Sequence, residues 1–284
     1  MTISNPTATH LPRSTNRAGR WISIVVIVLG AIGIVFALGG GVVRGLAAHS
    51  ATSGSYTAAA DGIEQLQIDS SAAAFEIRFD DVEEATLQVV TNGGPVQQWS
   101  LQRSGDALIV DTDRRWGWLG LGGMFGERGG EELAVLTLPA ALERAELDLE
   151  TDVSAGSFTA AGEWGSASLG LSAGSAELSG TAASLTVEVS AGEARIDVAT
   201  GGAVQLEVSA GRIVGSLTGE QPSSIDATVS AGAIELTIPD GAYAVTESVS
   251  AGDSDVRVTD DQSAASTIDV EVSAGNVRLI GGKH

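Results

Sequence analysis

One tripeptide constrains this chain more than any other feature. Ser-Ala-Gly occurs seven times, at 154–156, 172–174, 190–192, 209–211, 230–232, 250–252 and 273–275, with spacings of 18, 18, 19, 21, 20 and 23 residues. A near-constant period of this length marks a stacked array. The flanks repeat too. Alternating apolar residues precede the Ser (Leu185, Val187, Val189; Val204, Leu206, Val208; Ile268, Val270, Val272) and resume after the Gly (Ala194, Ile196, Val198; Ile234, Leu236, Ile238; Val277, Leu279). Period-two alternation predicts strands, and the β-branched residues and recurring Gly disfavour helix. Each repeat therefore reads as strand, bend, strand, turn. The expected fold is all-β, a single-stranded β-solenoid or β-helix-like stack whose coils lie roughly 4.8 Å apart.

The bend residues have architectural readings. Gly156, Gly174, Gly192, Gly211, Gly232, Gly252 and Gly275 are expected at corners, where glycine permits φ > 0. Ala fits between tightly stacked corners, and Ser is expected to hydrogen-bond the bend or a neighbouring Ser. Upstream, candidate strands are Leu66–Ile68, Phe75–Phe79, Leu87–Val89, Trp99–Leu101, Leu108–Val110, Val135–Leu138 and Ala145–Leu149, separated by turn-like stretches. They are expected to form less regular coils that cap the stack.

Residues Trp21 to Val43 form 23 consecutive uncharged, mostly apolar residues, with Arg13, Arg17 and Arg20 before them and Arg44 after. About 20 such residues cross a bilayer as a helix. The Arg placement sets the N-terminus inside and the remainder outside. A cleaved signal peptide is the competing reading, with small residues at Ala48-His49-Ser50, but a secretory apolar core is only about 7–15 residues long. The expected organisation is a cytoplasmic tail at 1–20, a transmembrane helix at 21–46, a flexible tether at 47–60 and an extracytoplasmic domain at 61–284. The protein would be single-pass in the plasma membrane.

Composition narrows the chemistry. There is no Cys, so no disulfide, thiolate nucleophile or Cys-held metal. The three His (His10, His49, His284) lie at or near the ends, so no imidazole is placed for a triad or a metal site. No catalytic residue, metal or cofactor is therefore expected. Residues 47–284 hold 11 basic against 36 acidic residues, a net charge of −25, which repels nucleic acid.

One stretch breaks the pattern. Residues 113–131 concentrate Trp116, Trp118, Leu119, Leu121, Met124 and Phe125 among Gly, flanked by Arg114, Arg115 and Arg128. Aromatics with Arg suit a partner- or membrane-touching loop. The alternative is a loop folded over the open end of the stack, with Trp164 in the same cap. The acidic run Asp80 to Glu84 and the carboxylates Asp148, Glu150 and Asp152 read as solvated surface.

An N-terminal strand set, a long variable loop, an apolar strand ending in Leu138-Pro139 and recurring small-residue turns together resemble the bacterial putative-adhesin β-solenoid family, also called the toast-rack domain. The resemblance covers about residues 61–284. It implies an exported or membrane-anchored envelope protein, with no general catalytic site. Members often carry Ser-Gly-Asp-type turns where this chain has Ser-Ala-Gly. The expected function is a non-enzymatic membrane-anchored surface for adhesion, interaction or envelope sensing, its partner an envelope protein or a glycan. The alternatives are a self-assembling scaffold, since an uncapped end exposes strand edges, and a glycan-active β-helix enzyme.

Overall fold

The computed structural model describes residues 52–91, 98–112 and 132–282. The expected helix 21–46 and the stretch 113–131 lie outside the described residues, and among those described no helix is long and apolar enough to cross a membrane. The described chain is all-β apart from one 3₁₀ turn, Ala140–Arg144. The strands are β1 (Thr52–Ala58), β2 (Gln65–Ser70), β3 (Ala73–Asp80), β4 (Ala85–Thr91), β5 (Trp99–Ser104), β6 (Ala107–Thr112), β7 (Glu132–Pro139), β8 (Leu147–Val153), β9 (Gly156–Ala199), β10 (Ala203–Val208), β11 (Arg212–Thr218), β12 (Ser224–Val229), β13 (Ala233–Pro239), β14 (Ala242–Val249), β15 (Gly252–Arg257), β16 (Thr259–Asp260), β17 (Thr267–Val272) and β18 (Gly275–Gly282). All seven upstream strand expectations match an element, β2 to β8. The long β9 holds two of the Ser-Ala-Gly bends within one run of extended chain.

Two series of in-register strands run through the stack. The leading strands come before the bends. Among them β6 and β8 flank β2, β8 pairs with the second part of β9, and β10, β12, β17 and β14 follow one another. The trailing strands come after the bends. There β7 and β9 flank β3, and β11, β13, β18 and β15 follow. All these pairings are parallel. The alternation in sequence becomes alternation in burial, as in the eBeBeB pattern of β10 and the iBeBiB pattern of β12. Aliphatic side chains such as Leu185, Val187, Ile213, Ile225 and Val277 fill the space between the two series. Such burial stabilises by about 1.5–3 kcal/mol per large aliphatic side chain.

The bends stack backbone on backbone. A Cβ added at Gly174 would run into the carbonyl of Gly156, and one at Gly192 into that of Gly174. The column continues through Gly211, Gly232, Gly275 and Gly252, each set over the one before. Gly174 has φ 108°, where a side chain is strained. Gly211 and Gly232 do not lie in that region, which corrects the expectation of a common φ > 0. Their constraint is steric: a Cβ on Gly211 would sit 2.6 Å from the Gly192 oxygen and 2.6 Å from Val189 Cγ1. For Ser209 the expected side-chain bonding is corrected as well. Backbone carries the corner, with Ser209 N–H donating to Val189 O at 2.9 Å and Ser230 N–H to Val208 O at 2.8 Å. The Ser209 side chain is exposed and makes no hydrogen bond among the described residues.

Coil order departs from chain order at both ends. The last coil, β17–β18, lies between β12–β13 and β14–β15, so β14–β15 forms the terminal coil. At the other end β2–β3 lies between β6–β7 and β8–β9. Beyond β6 and β7 the pairing turns antiparallel, with β5 on β6, β4 on β7 and β1 on β4. Strand β1 corrects the tether expected at 47–60. Its small polar residues lack an apolar run, but pairing with β4 satisfies its backbone, and Tyr56 and Ala58 pack on the core.

Candidate interaction surface

The outward rows of the two series differ in charge. The leading strands present Asp69, Asp111, Asp148, Glu150, Asp152, Glu188, Glu207, Asp226, Asp269 and Glu271, and β2, β6, β8, β10, β12, β14 and β17 contain no Arg or Lys. Asp111, Asp69 and Asp152 sit in register on neighbouring strands. Asp148 accepts from Ser166 Oγ–H at 2.7 Å and from Ser166 N–H at 2.6 Å, which holds its carboxyl below the usual range. The three carboxylates of β8 are exposed, as the sequence implied.

The trailing strands carry the arginines, mostly in exposed ion pairs. Arg78 meets Glu76 at 2.7 Å, Arg212 meets Glu235 at 2.7 Å on the next coil, and Asp255 receives Arg257 at 2.8 Å and Arg278 at 3.5 Å. The Arg257 hydrogen bond, assisted by its charge and that of Arg278, lowers the Asp255 carboxyl. Exposed pairs of this kind add little stability. Among the described residues no group of three or more acidic or His side chains is placed to hold a metal.

The antiparallel end has a different character. Phe75 stacks on Trp99 at 5.8 Å and on Phe158 at 6.1 Å. Trp99 Nε1–H donates to Glu132 Oε1 at 2.8 Å, inside the protein. Neither the buried Glu132 nor its link to Trp99 was anticipated. The signal was available, because Glu132 occupies the inward phase of Glu132-x-Ala134-x-Leu136-x-Leu138. Trp164 is 2% exposed and lies against Phe79 at a ring distance of 6.1 Å. It sits at the return turn, opposite the Ser-Ala-Gly corner and in register with Leu147; the other part of the cap expected for it, 113–131, lies outside the described residues.

Pairing also fixes where the stretches outside the described residues attach. Thr52 pairs with Thr91, Thr91 with Glu132 and Trp99 with Thr112. Glu132 and Thr112 border 113–131, Thr91 borders 92–97, and Thr52 follows the first 51 residues. All four attachment points therefore meet at one corner of one end of the stack. In chain order segment 113–131 joins β6 to β7, where other coils join their two strands by a three-residue bend. Its candidate residues Arg114, Arg115, Trp116, Trp118, Leu119, Met124, Phe125 and Arg128 lie outside the described residues. All seven candidate turn glycines do lie at the corner, in one column.

No family model matches the chain, and no curated protein does either. Solved structures do match. A "putative cell adhesion protein" from Clostridium sporogenes is 12% identical, covering 82% of this chain and 100% of that one at a TM-score of 0.33. A "putative adhesin" from Bacteroides fragilis is 14% identical, covering 81% and 97% at a TM-score of 0.39. A "putative lipid binding protein" from Parabacteroides distasonis is 14% identical, covering 81% and 95% at a TM-score of 0.40. The strand pairing above stands on this chain alone.

Proposed function

We propose that the chain is a non-enzymatic envelope protein, held in the plasma membrane by helix 21–46, which presents a β-solenoid as an interaction surface. The single observation that carries this reading is the shared corner. The N-terminal segment, with its apolar run, and the Trp- and Arg-rich segment 113–131 both attach there. The two long outward rows extend away from it. That shared attachment supports reading Trp116, Trp118, Phe125 and the three Arg as contacts for an interface or a membrane-bound partner, since aromatic and basic side chains suit such contacts.

The self-assembling alternative loses support at the far end. In β14, Glu247 occupies the inward position in register with Val270, and in β15, Ser254 occupies that of Val277. Ser254 Oγ–H donates to Glu247 Oε1 at 2.6 Å. Inward polar groups on a terminal strand oppose the stacking of another coil.

Protease added to intact wall-stripped cells tests the anchoring. The domain is expected to be removed while an N-terminal tag stays protected and membrane-bound. A freely secreted mature form would refute it. Crosslinking in the same cells tests the segment. Replacing Trp116, Trp118 and Phe125 with Ser is expected to abolish partner capture while cooperative melting persists, since each interface aromatic contributes about 2 kcal/mol, roughly thirtyfold in affinity.

A further inference from the structure

The inward side of the antiparallel corner is unusually polar. Of the six buried polar or charged residues described, Ser70, Thr91, Thr112 and Glu132 lie there. The position of Ser70 is Val153 on the next leading strand, and Val189, Val208, Val229 and Val272 farther along. Thr112 Oγ–H is within 3.0 Å of Ser71 Oγ and 3.3 Å of Asp69 O, whereas Ser70 Oγ is fully buried with no partner among the described residues. Glu132 is 5% exposed, and its one side-chain hydrogen bond among the described residues is the Trp99 indole on Oε1. Buried polar groups are costly unless satisfied. Beside them opens a cleft of about 570 Å³, within the range of ligand pockets, lined by Ala72, Ala73, Ala74, Glu132, Leu133, Gly156 and Ser157. Leu133 is 45% exposed and pairs with Val90, 38% exposed, so the rim is apolar.

We infer that this cleft is a binding site for an alkyl-ammonium group, with Glu132 receiving the ammonium and the Ala72–Ala74 floor and Leu133 wall receiving the alkyl chain. A metal ion would need more than one anionic ligand, and the lining supplies only Glu132. A planar guanidinium is best held in a fork by both carboxyl oxygens, and the Trp99 indole already takes one acceptor site on Oε1, which leaves Oε2 the freer oxygen. An ammonium is a point charge that one oxygen can take. The chain's acidic surface draws cations toward the site. The inference does not depend on the anchoring proposed above. The same chemistry is offered by a free diamine and by a lysyl side chain.

The test is NMR titration of the full chain in detergent with 1,5-diaminopentane, with 1,5-pentanediol and with acetyl-Ala-Lys-Ala-amide. Diaminopentane is expected to shift the Ala72, Ala73, Ala74 and Ser157 resonances saturably, and pentanediol to leave them unmoved. Glu132→Gln keeps an acceptor for Trp99 and is expected to bind about tenfold more weakly or worse, as for a lost charge-assisted bond. Ala74→Leu narrows the cleft from the outward position beside Leu133 and is expected to weaken binding without touching Glu132. Tripeptide affinity equal to the diamine's assigns a lysyl source, and weaker tripeptide binding assigns a free amine. The inference is overturned by no saturable shift, by equal binding of the diol, or by wild-type affinity in Glu132→Gln. Should that variant not fold, wild-type affinity in Ala74→Leu overturns it.

Discussion

The two ends of the stack face the same problem and are finished differently. Each leaves strand edges that repetition cannot cover. At one end the pairing turns antiparallel through β1, β4 and β5, and large rings fill the interior around Phe75, Trp99 and Phe158. At the other end the parallel pattern persists to β14 and β15, and the inward positions turn polar at Glu247 and Ser254. One end is closed by added core and the other by making further stacking unfavourable. The ends share one device. In each, the coil nearest the end in sequence is the second in space, so a segment prone to fray is gripped on both sides.

Removing the last coil by ending the chain at Asp261 should break the comparison most severely. It strips the buried Ile268, Val270, Val272, Val277 and Leu279, roughly 10 kcal/mol of burial at about 2 kcal/mol each. It also leaves β14–β15 with nothing beneath it. Hydrogen exchange should show lost protection in β14 and β15 as well as in the deleted coil's other neighbours. Persistent protection there would mean that the coils stack in chain order.

At the antiparallel end, Trp99→Ala should cost about 3–5 kcal/mol in denaturant unfolding, through the cavity left beside Phe75 and the loss of the indole donor to Glu132. A near-neutral result would deny that this end is closed by core. In the regular middle, Gly211→Val should cost about 3 kcal/mol by driving the Gly192 and Gly211 bends apart, read as a lowered melting temperature.

Acidification should act through the lowered carboxyls. Asp148, held by Ser166, and Asp255, held by Arg257 and Arg278, contribute stability that is complete above the ordinary aspartate value of 3.8 and is lost as pH falls through their lowered folded values. Ser166→Ala should reduce the part of the acid transition belonging to β8, and an unchanged acid midpoint would remove Asp148 from the account. The smallest effect is Ser209→Ala, within about 0.5 kcal/mol, because the backbone and not the hydroxyl makes the corner.

The strands and bends were legible because alternation and Gly report local geometry directly, as in Val204-x-Leu206-x-Val208 followed by Gly211. The coil order was not. Coils with interchangeable apolar patterns fit one another equally well, so nothing in Ile268-x-Val270-x-Val272 says that it rests on Ile225-x-Ala227-x-Val229. Strand β1 was missed because tertiary pairing, not its own composition, makes Thr52–Ala58 extended. The corner cleft was missed because its residues, Ala72 to Ala74, Glu132, Leu133, Gly156 and Ser157, converge from three separate strands.

The absence of Cys permits a direct test of the coil order. Thr228 pairs with Glu271 on the adjacent coil, and Ser248 pairs with Glu271 one coil beyond. Oxidation of a Thr228→Cys, Glu271→Cys variant should form an intramolecular disulfide in high yield. The Thr228→Cys, Ser248→Cys variant should not, because positions two coils apart, roughly 9.6 Å, exceed the span of the bond. A disulfide in the second variant and none in the first would contradict the interposed coil, and with it the account of how the ends are held.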